Sequence, residues 1–228
     1  MSAETETSHR RWLWAAGVLL VVIALTAVGI AFFSNGDGEP TPIGSASATS
    51  TPSASAPVSE VAPTGCLGGP DRDAAMLLAS QQGAQHSKEG ATELATSFVR
   101  WLQRFPYPSL DEATEVSDRI LAASSFTDDL AGYIADEPDL SGGIVATGEN
   151  YFMSSVPGVW HVESASADEV EVTIGTAFVV NGSLSPTLRS SITITTEWED
   201  GVWRISQADG TRTTQDLFAI GQPFTGGC

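Results

Sequence analysis

One stretch sets the layout of this chain. From Trp12 to Phe33 the sequence WLWAAGVLLVVIALTAVGIAFF runs 22 residues without a charge. As an α-helix it measures about 33 Å, against about 30 Å for the hydrocarbon core of a bilayer. Arg10 and Arg11 precede it, and Asp37 and Glu39 follow it. The positive-inside rule therefore predicts a cytoplasmic arm over residues 1–11, a membrane helix over 12–33, and everything after Ser34 outside. Trp12, Trp14, Phe32 and Phe33 stand near its two ends, where aromatic rings favour the interface. A cleaved signal peptide has a shorter apolar region and a small-residue cleavage site, whereas this run ends in Ala31-Phe32-Phe33. A lipoprotein reading would use Cys66, which lies far beyond the run. The expectation is an uncleaved, single-pass protein of the plasma membrane with an extracytoplasmic domain.

Residues 34–65 are rich in Ser, Thr, Ala, Gly and Pro, with SASATSTPSASAP at their centre. Such a segment has too little apolar surface to offset its ordering entropy, so it reads as a disordered linker. Residues 66–228 are expected to form one folded domain. Cys66 and Cys228 bracket it, both on the outer side, where disulfides persist. Their even count points to an intramolecular bridge, with an intermolecular bridge or two free thiols as the other states. The formal net charge of the chain is −18, and 23 acidic against 8 basic residues leave −15 on the domain alone. A field of that sign repels phosphate backbones and argues against direct nucleic-acid binding. Two cysteines and three histidines are too few for a zinc framework.

The domain's first half has the helical period. Asp73 is placed to cap a helix through AAMLLASQQ, ended by Gly83. Ser87 opens the next, with Ala91, Leu94, Ala95, Phe98, Trp101, Leu102 and Phe105 inward and Pro106 and Pro108 as stops. Ser109 and Glu112 have capping-box spacing before Ala113, Val116 and Ile120. Phe126, Leu130, Tyr133 and Ile134 predict one or two more turns before Pro138.

The second half alternates instead. Trp160-Val162-Ser164, Val170-Val172-Ile174 and Ile192-Ile194-Trp198 each interleave with polar residues, and Val202, Trp203 and Ile205 close the series. Asp200-Gly201 marks a two-residue hairpin that would set Trp198 against Trp203 and Glu197 against Arg204. Asn181-Gly182 marks another turn, for which Pro186 predicts a longer loop. Helices followed by antiparallel strands make an α+β domain, with N-terminal helices packed on one face of a curved sheet.

No nucleophile-elbow, P-loop, zincin or dinucleotide motif is present in the sequence. His86 reads as a solvated loop residue. His161 and Glu163 fall on one side of a strand, an acid–base pair if they line a pocket and a solvated strand face otherwise. Asp136-Glu137-Pro138-Asp139 lacks the spacing of a calcium loop. Asn181-Gly182-Ser183 matches a glycosylation acceptor, although a tight turn requires the same residues. Trp101, Trp160, Trp198 and Trp203, together with His161, are candidates to line a pocket or fill the core. Neither a catalytic residue, a cofactor nor a metal is assigned.

Arm, membrane helix, linker and α+β outer domain together resemble the bitopic, cone-fold scaffold subunits of type IV secretion and conjugation systems. The stretch from Cys66-Leu67-Gly68-Gly69-Pro70-Asp71 to Phe98-Val99-Arg100-Trp101 is similar to an actinobacterial membrane-anchored family linked to conjugative elements. One lysine, Lys88, against nine arginines suits a high-GC genome. The long linker and the cysteine pair depart from the better-known scaffolds. The resemblance implies a nuclear-transport-factor-like cone that assembles with other envelope proteins and with itself, without catalysis. Two other functions remain open to this architecture: an accessory subunit of an envelope lipid-transport complex, or a tethered small-ligand binder or isomerase-like enzyme.

Overall fold

The computed structural model describes residues 61–137, 139–210 and 212–228. The apolar run at 12–33, the arm before it and the linker up to residue 60 lie outside the described residues. Among the described residues no helix is long and apolar enough to cross a membrane.

Asp73 accepts a hydrogen bond from the Met76 amide at 2.8 Å and so starts helix α1, Ala74–Gly83. Ser87 does the same for α2, Lys88–Leu102, through the Gly90 amide. Helix α2 is the domain's axis, buried on nearly every side. Its polar residues are satisfied locally: Thr92 and Thr96 donate to the carbonyls of Lys88 and Thr92 at 2.8 and 2.7 Å. The helix ends at Leu102, one turn short of Phe105, because Gln103 leaves helical geometry. Phe105 instead enters the short strand β1, Arg104–Phe105, opposite Tyr151, and still packs on the core. The Ser109–Glu112 capping box opens α3, Leu110–Ile120, and buries Ala113, Val116 and Ile120. Asp129 caps α4, Leu130–Asp136.

Strands β2 (Tyr151–Ala165), β3 (Glu169–Val180), β4 (Ser183–Glu199) and β5 (Val202–Asp209) follow, then helix α5 (Thr214–Ile220) and strand β6 (Gln222–Pro223). All pairs are antiparallel in the order β1-β2-β3-β4-β5, with β6 beside β2. Register breaks between Ser154 and Val159, at Val162–Ser164 and at Thr195–Thr196 bend the sheet into a half-barrel. Its concave side receives α1, α2 and α3 over a single core. Both hairpins between β3, β4 and β5 are two-residue turns with positive φ at Asn181-Gly182 and Asp200-Gly201. Trp198 therefore faces Trp203 and Glu197 faces Arg204, as the alternation predicts. The Asn181-Gly182 turn is tight, not lengthened by Pro186. The chain takes up the proline downstream, where the register jumps from Leu184 to Arg189 along β4.

Sequence alternation detects β2 only from Trp160. Its first nine residues, Tyr151–Val159, contain Pro157 and an irregularity that erase the period of two. Helix α5 is too short to show periodicity at all. It covers the convex side of the sheet, where Gly175 leaves room: a Cβ there would meet Leu217 and Phe218 at 2.9 Å.

The segment before α1 is fastened at several points. Gly68 has φ +83°, and a side chain on it would meet the Met76 carbonyl at 2.3 Å. Arg100, fully buried on α2, donates through Nη2 to the carbonyls of Gly69 and Asp71 at 2.9 and 3.0 Å. Ser97 donates to the Leu67 carbonyl at 3.1 Å. Glu93 accepts from the Thr64 amide and hydroxyl and from the Gly65 amide, so these two residues, linker by composition, belong to the fold. Cys66 is bonded to Cys228, 162 positions away, with Cα atoms 5.4 Å apart. Ser155 on β2 donates to the Gly65 carbonyl and accepts from the Cys228 amide, joining both segments to the sheet.

Replacing Arg100 with Leu strands two carbonyls without their charged donor. It is expected to cost about 2–3 kcal/mol in denaturant unfolding. Arg119→Leu, on an exposed face of α3, should stay within about 0.5 kcal/mol. The double substitution Cys66→Ser with Cys228→Ser should cost about 2–5 kcal/mol by the same measurement.

Candidate functional site

Four places on this frame could carry function. The first is the concave side of the sheet. Trp101 and Trp203 are fully buried there, with Phe98, Phe178, Met153 and Ile174, and Trp160 is 6% exposed. Side chains fill the space that a pocket would need, so these tryptophans act in packing. Trp198 lies at the margin, its ring 5.2 Å from Trp203 in an edge contact.

The second is the His161–Glu163 pair. The two residues do share a side, with His161 Nε2 4.0 Å from a Glu163 oxygen. That side is the convex one, facing away from the core. Glu163 is already committed there. Arg212, just before α5, grips it through Nε at 2.7 Å and through Nη2, and Thr173 donates to it at 2.6 Å. Thr173 is in turn bonded to Thr193 across the sheet at 3.0 Å. Hydrogen bonding from Arg212, reinforced by Thr173, holds the Glu163 pKa down at about 2 despite partial burial. A carboxylate held that low is a poor proton acceptor at neutral pH. What the pair does is pin the loop ahead of α5 onto the sheet. Arg212 carried no periodic or motif signal that could have marked it as the partner.

His86 is the third, and it is not a free loop residue. Its ring stacks on Trp198 with centroids 4.0 Å apart and planes 6° from parallel, and it meets Trp203 edge-on at 5.6 Å. Nε2 lies 2.8 Å from the Ala167 carbonyl and 3.1 Å from Asp168 Oδ1 in the β2–β3 turn. Trp203 Nε1 donates to the Gln85 carbonyl at 2.8 Å, so the α1–α2 loop is bolted to both tryptophans of the hairpin.

The acidic loop, fourth, organises backbone. Asp139 accepts from the amides of Ser141 and Gly143 at 2.8 Å each, and its pKa is lowered, chiefly by hydrogen bonding to the Ser141 side chain. Among the described residues no group of three or more His, Cys, Asp or Glu is arranged to hold a metal.

Two clefts among the described residues bear on function. The larger, about 460 Å³, lies between the end of α1, the first turns of α2 and residues 61–67, with His86, Glu89 and Glu93 on its walls. The smaller, about 240 Å³, lies where α4 and the loop after it meet Ile192 and Ala208 at the edge of the concave side. Neither cleft was foreseen from sequence, because each is lined from several separated segments.

Glu163 is held below its ordinary pKa of 4.5, so its charge stabilises the fold fully above that pH and progressively less as pH falls toward 2. Melting temperature followed from pH 6 to pH 2 should therefore drop more steeply in the parent chain than in Glu163→Gln, by a few degrees. Comparison with protein-family models, with curated proteins and with solved structures finds no match to this chain.

Proposed function

We propose that this chain is a single-pass membrane protein whose outer domain, a nuclear-transport-factor-like cone, holds other envelope proteins together, in an actinobacterial conjugation or secretion apparatus. The filled concave side carries this reading. An enzyme or carrier needs an open concavity lined by a few convergent polar groups. Here Trp101, Trp203, Phe98 and Phe178 occupy it, and the nearest acid–base pair is spent on an arginine outside. The apolar run at 12–33 supplies the anchor, the linker gives reach, and the domain surface is left for contacts. A net charge of −15 on the domain favours partners with basic faces.

A second reading, small-ligand binding, is favoured by the cleft of about 460 Å³, which falls within the range of about 300–1,000 Å³ common for ligand pockets.

Crosslinking of the full-length protein in its native membranes, followed by purification and mass spectrometry, separates these functions. The assembly reading expects recovery of channel subunits or a transfer ATPase, together with self-crosslinks. Recovery of lipid-transport subunits would move the protein to that apparatus, and recovery of the monomer alone would overturn assembly.

A further inference from the structure

The larger cleft has a chemistry of its own. Leu67, Gly83, Ala84 and Gly90 give it an apolar floor. One wall is the first part of α2, from which Glu89 and Glu93 project four residues apart and so on the same face. Both are nearly buried, at 9% and 8% exposure. Their roles differ. Glu93 is occupied by Thr64 and Gly65 and holds the leading segment in place. Glu89 lines the cleft with Lys88 Nζ 3.5 Å from one of its oxygens, and the lysine side chain is 41% exposed.

A helix start can also attract anions, but this one is taken. Ser87 caps the Gly90 amide, and Glu89 in the first turn already faces the positive end of the helix. An anionic ligand entering the cleft would meet two carboxylates at close range in a partly desolvated space. A cation with an apolar stem matches this floor and wall: stem on Leu67 and Ala84, charge toward Glu89.

We infer that this cleft is a docking pocket for a basic side chain, arginine or lysine, presented by a partner protein, with Glu89 as its counter-ion. The inference rests on the assembly reading and names the contact that assembly uses. His86 forms part of the rim and stacks on Trp198, so filling the cleft is reported by an indole already in place.

Full-length protein in detergent micelles is titrated with N-butylguanidinium chloride and, separately, with n-butyl sulfate, while tryptophan fluorescence is followed. The expected result is a saturable change with the guanidinium alone. Glu89→Gln should weaken it about tenfold or more, as loss of a buried charge partner does. Glu115→Gln, on the outer face of α3, should leave it unchanged. A second variant, Ala62→Phe, fills the cleft from its exposed edge and should abolish the response without touching a carboxylate. No saturation in the parent chain, or equal saturation in Glu89→Gln, overturns the pocket.

The native-membrane crosslinking, repeated with both variants, separates the pocket from assembly as such. Partners recovered by the parent chain and lost by Glu89→Gln and Ala62→Phe support the inference. Partners retained by both variants overturn it and leave assembly standing. A saturable, Glu89-dependent titration without any recovered partner overturns assembly and keeps the cleft's cation selectivity.

Discussion

The guanidinium of Arg100 is the contact on which the rest of this domain hangs. Removing a charged group from water is expensive unless hydrogen bonds replace the lost hydration. Here Nη2 meets two carbonyls, while Nε and Nη1 have no hydrogen-bond partner among the described residues. Burial and the nearby Arg72 draw its pKa down to about 10, still well above neutral, so the group remains charged. The consequence is a demand for carbonyl oxygens at that point, and only the loop at Gly69–Asp71 supplies them. Once that loop is seated, Cys66 lies within reach of Cys228, and the tail that carries β6 is drawn along β2. The segments Cys66–Asp71 and Phe98–Trp101 are thus the two sides of one contact.

The same tail helps to close the sheet. Strands at a sheet's margin offer unpaired amides and carbonyls to any passing chain. Along β2 those groups meet β1, the Cys228 carbonyl and β6 in turn. Along β5 they meet residues 121–126, through the Ala122 and Phe126 amides. What this domain leaves open is therefore side-chain surface and clefts more than strand edges.

Legibility in the sequence followed the range of the forces involved. Caps at Asp73, Ser87 and Ser109 act over three residues, and the sequence displays them whole. The Asp200-Gly201 hairpin was equally readable, since a turn of fixed length leaves the register no freedom. The Asn181-Gly182 turn was misjudged because Pro186 suggested a long loop, while the strand absorbed the proline further on. Contacts between distant segments left no trace. Arg212 reaches Glu163 across 49 positions, and His86 reaches Asp168 across 82. The site suffered most from this. His86 reads as a loop residue in the sequence, which does not show the hairpin tryptophans beside it, and Glu89 carries no signal there of the cleft it shares with residues 61–67.

The disulfide also decides how the domain bears tension. A pull on the chain ahead of the fold would be met first at Ala62 and Pro63, whose carbonyls accept from Thr225, and then at Thr64 and Gly65. The first covalent junction beyond that point is Cys66–Cys228, which passes the strain to a tail paired alongside β2. Such a pull would thus reach β2 through the β6 pairing at Val159 and Trp160 and through the Cys228 carbonyl at Ser155. The hairpins of β3, β4 and β5 stay outside that path. The architecture suits a module that keeps its shape under load.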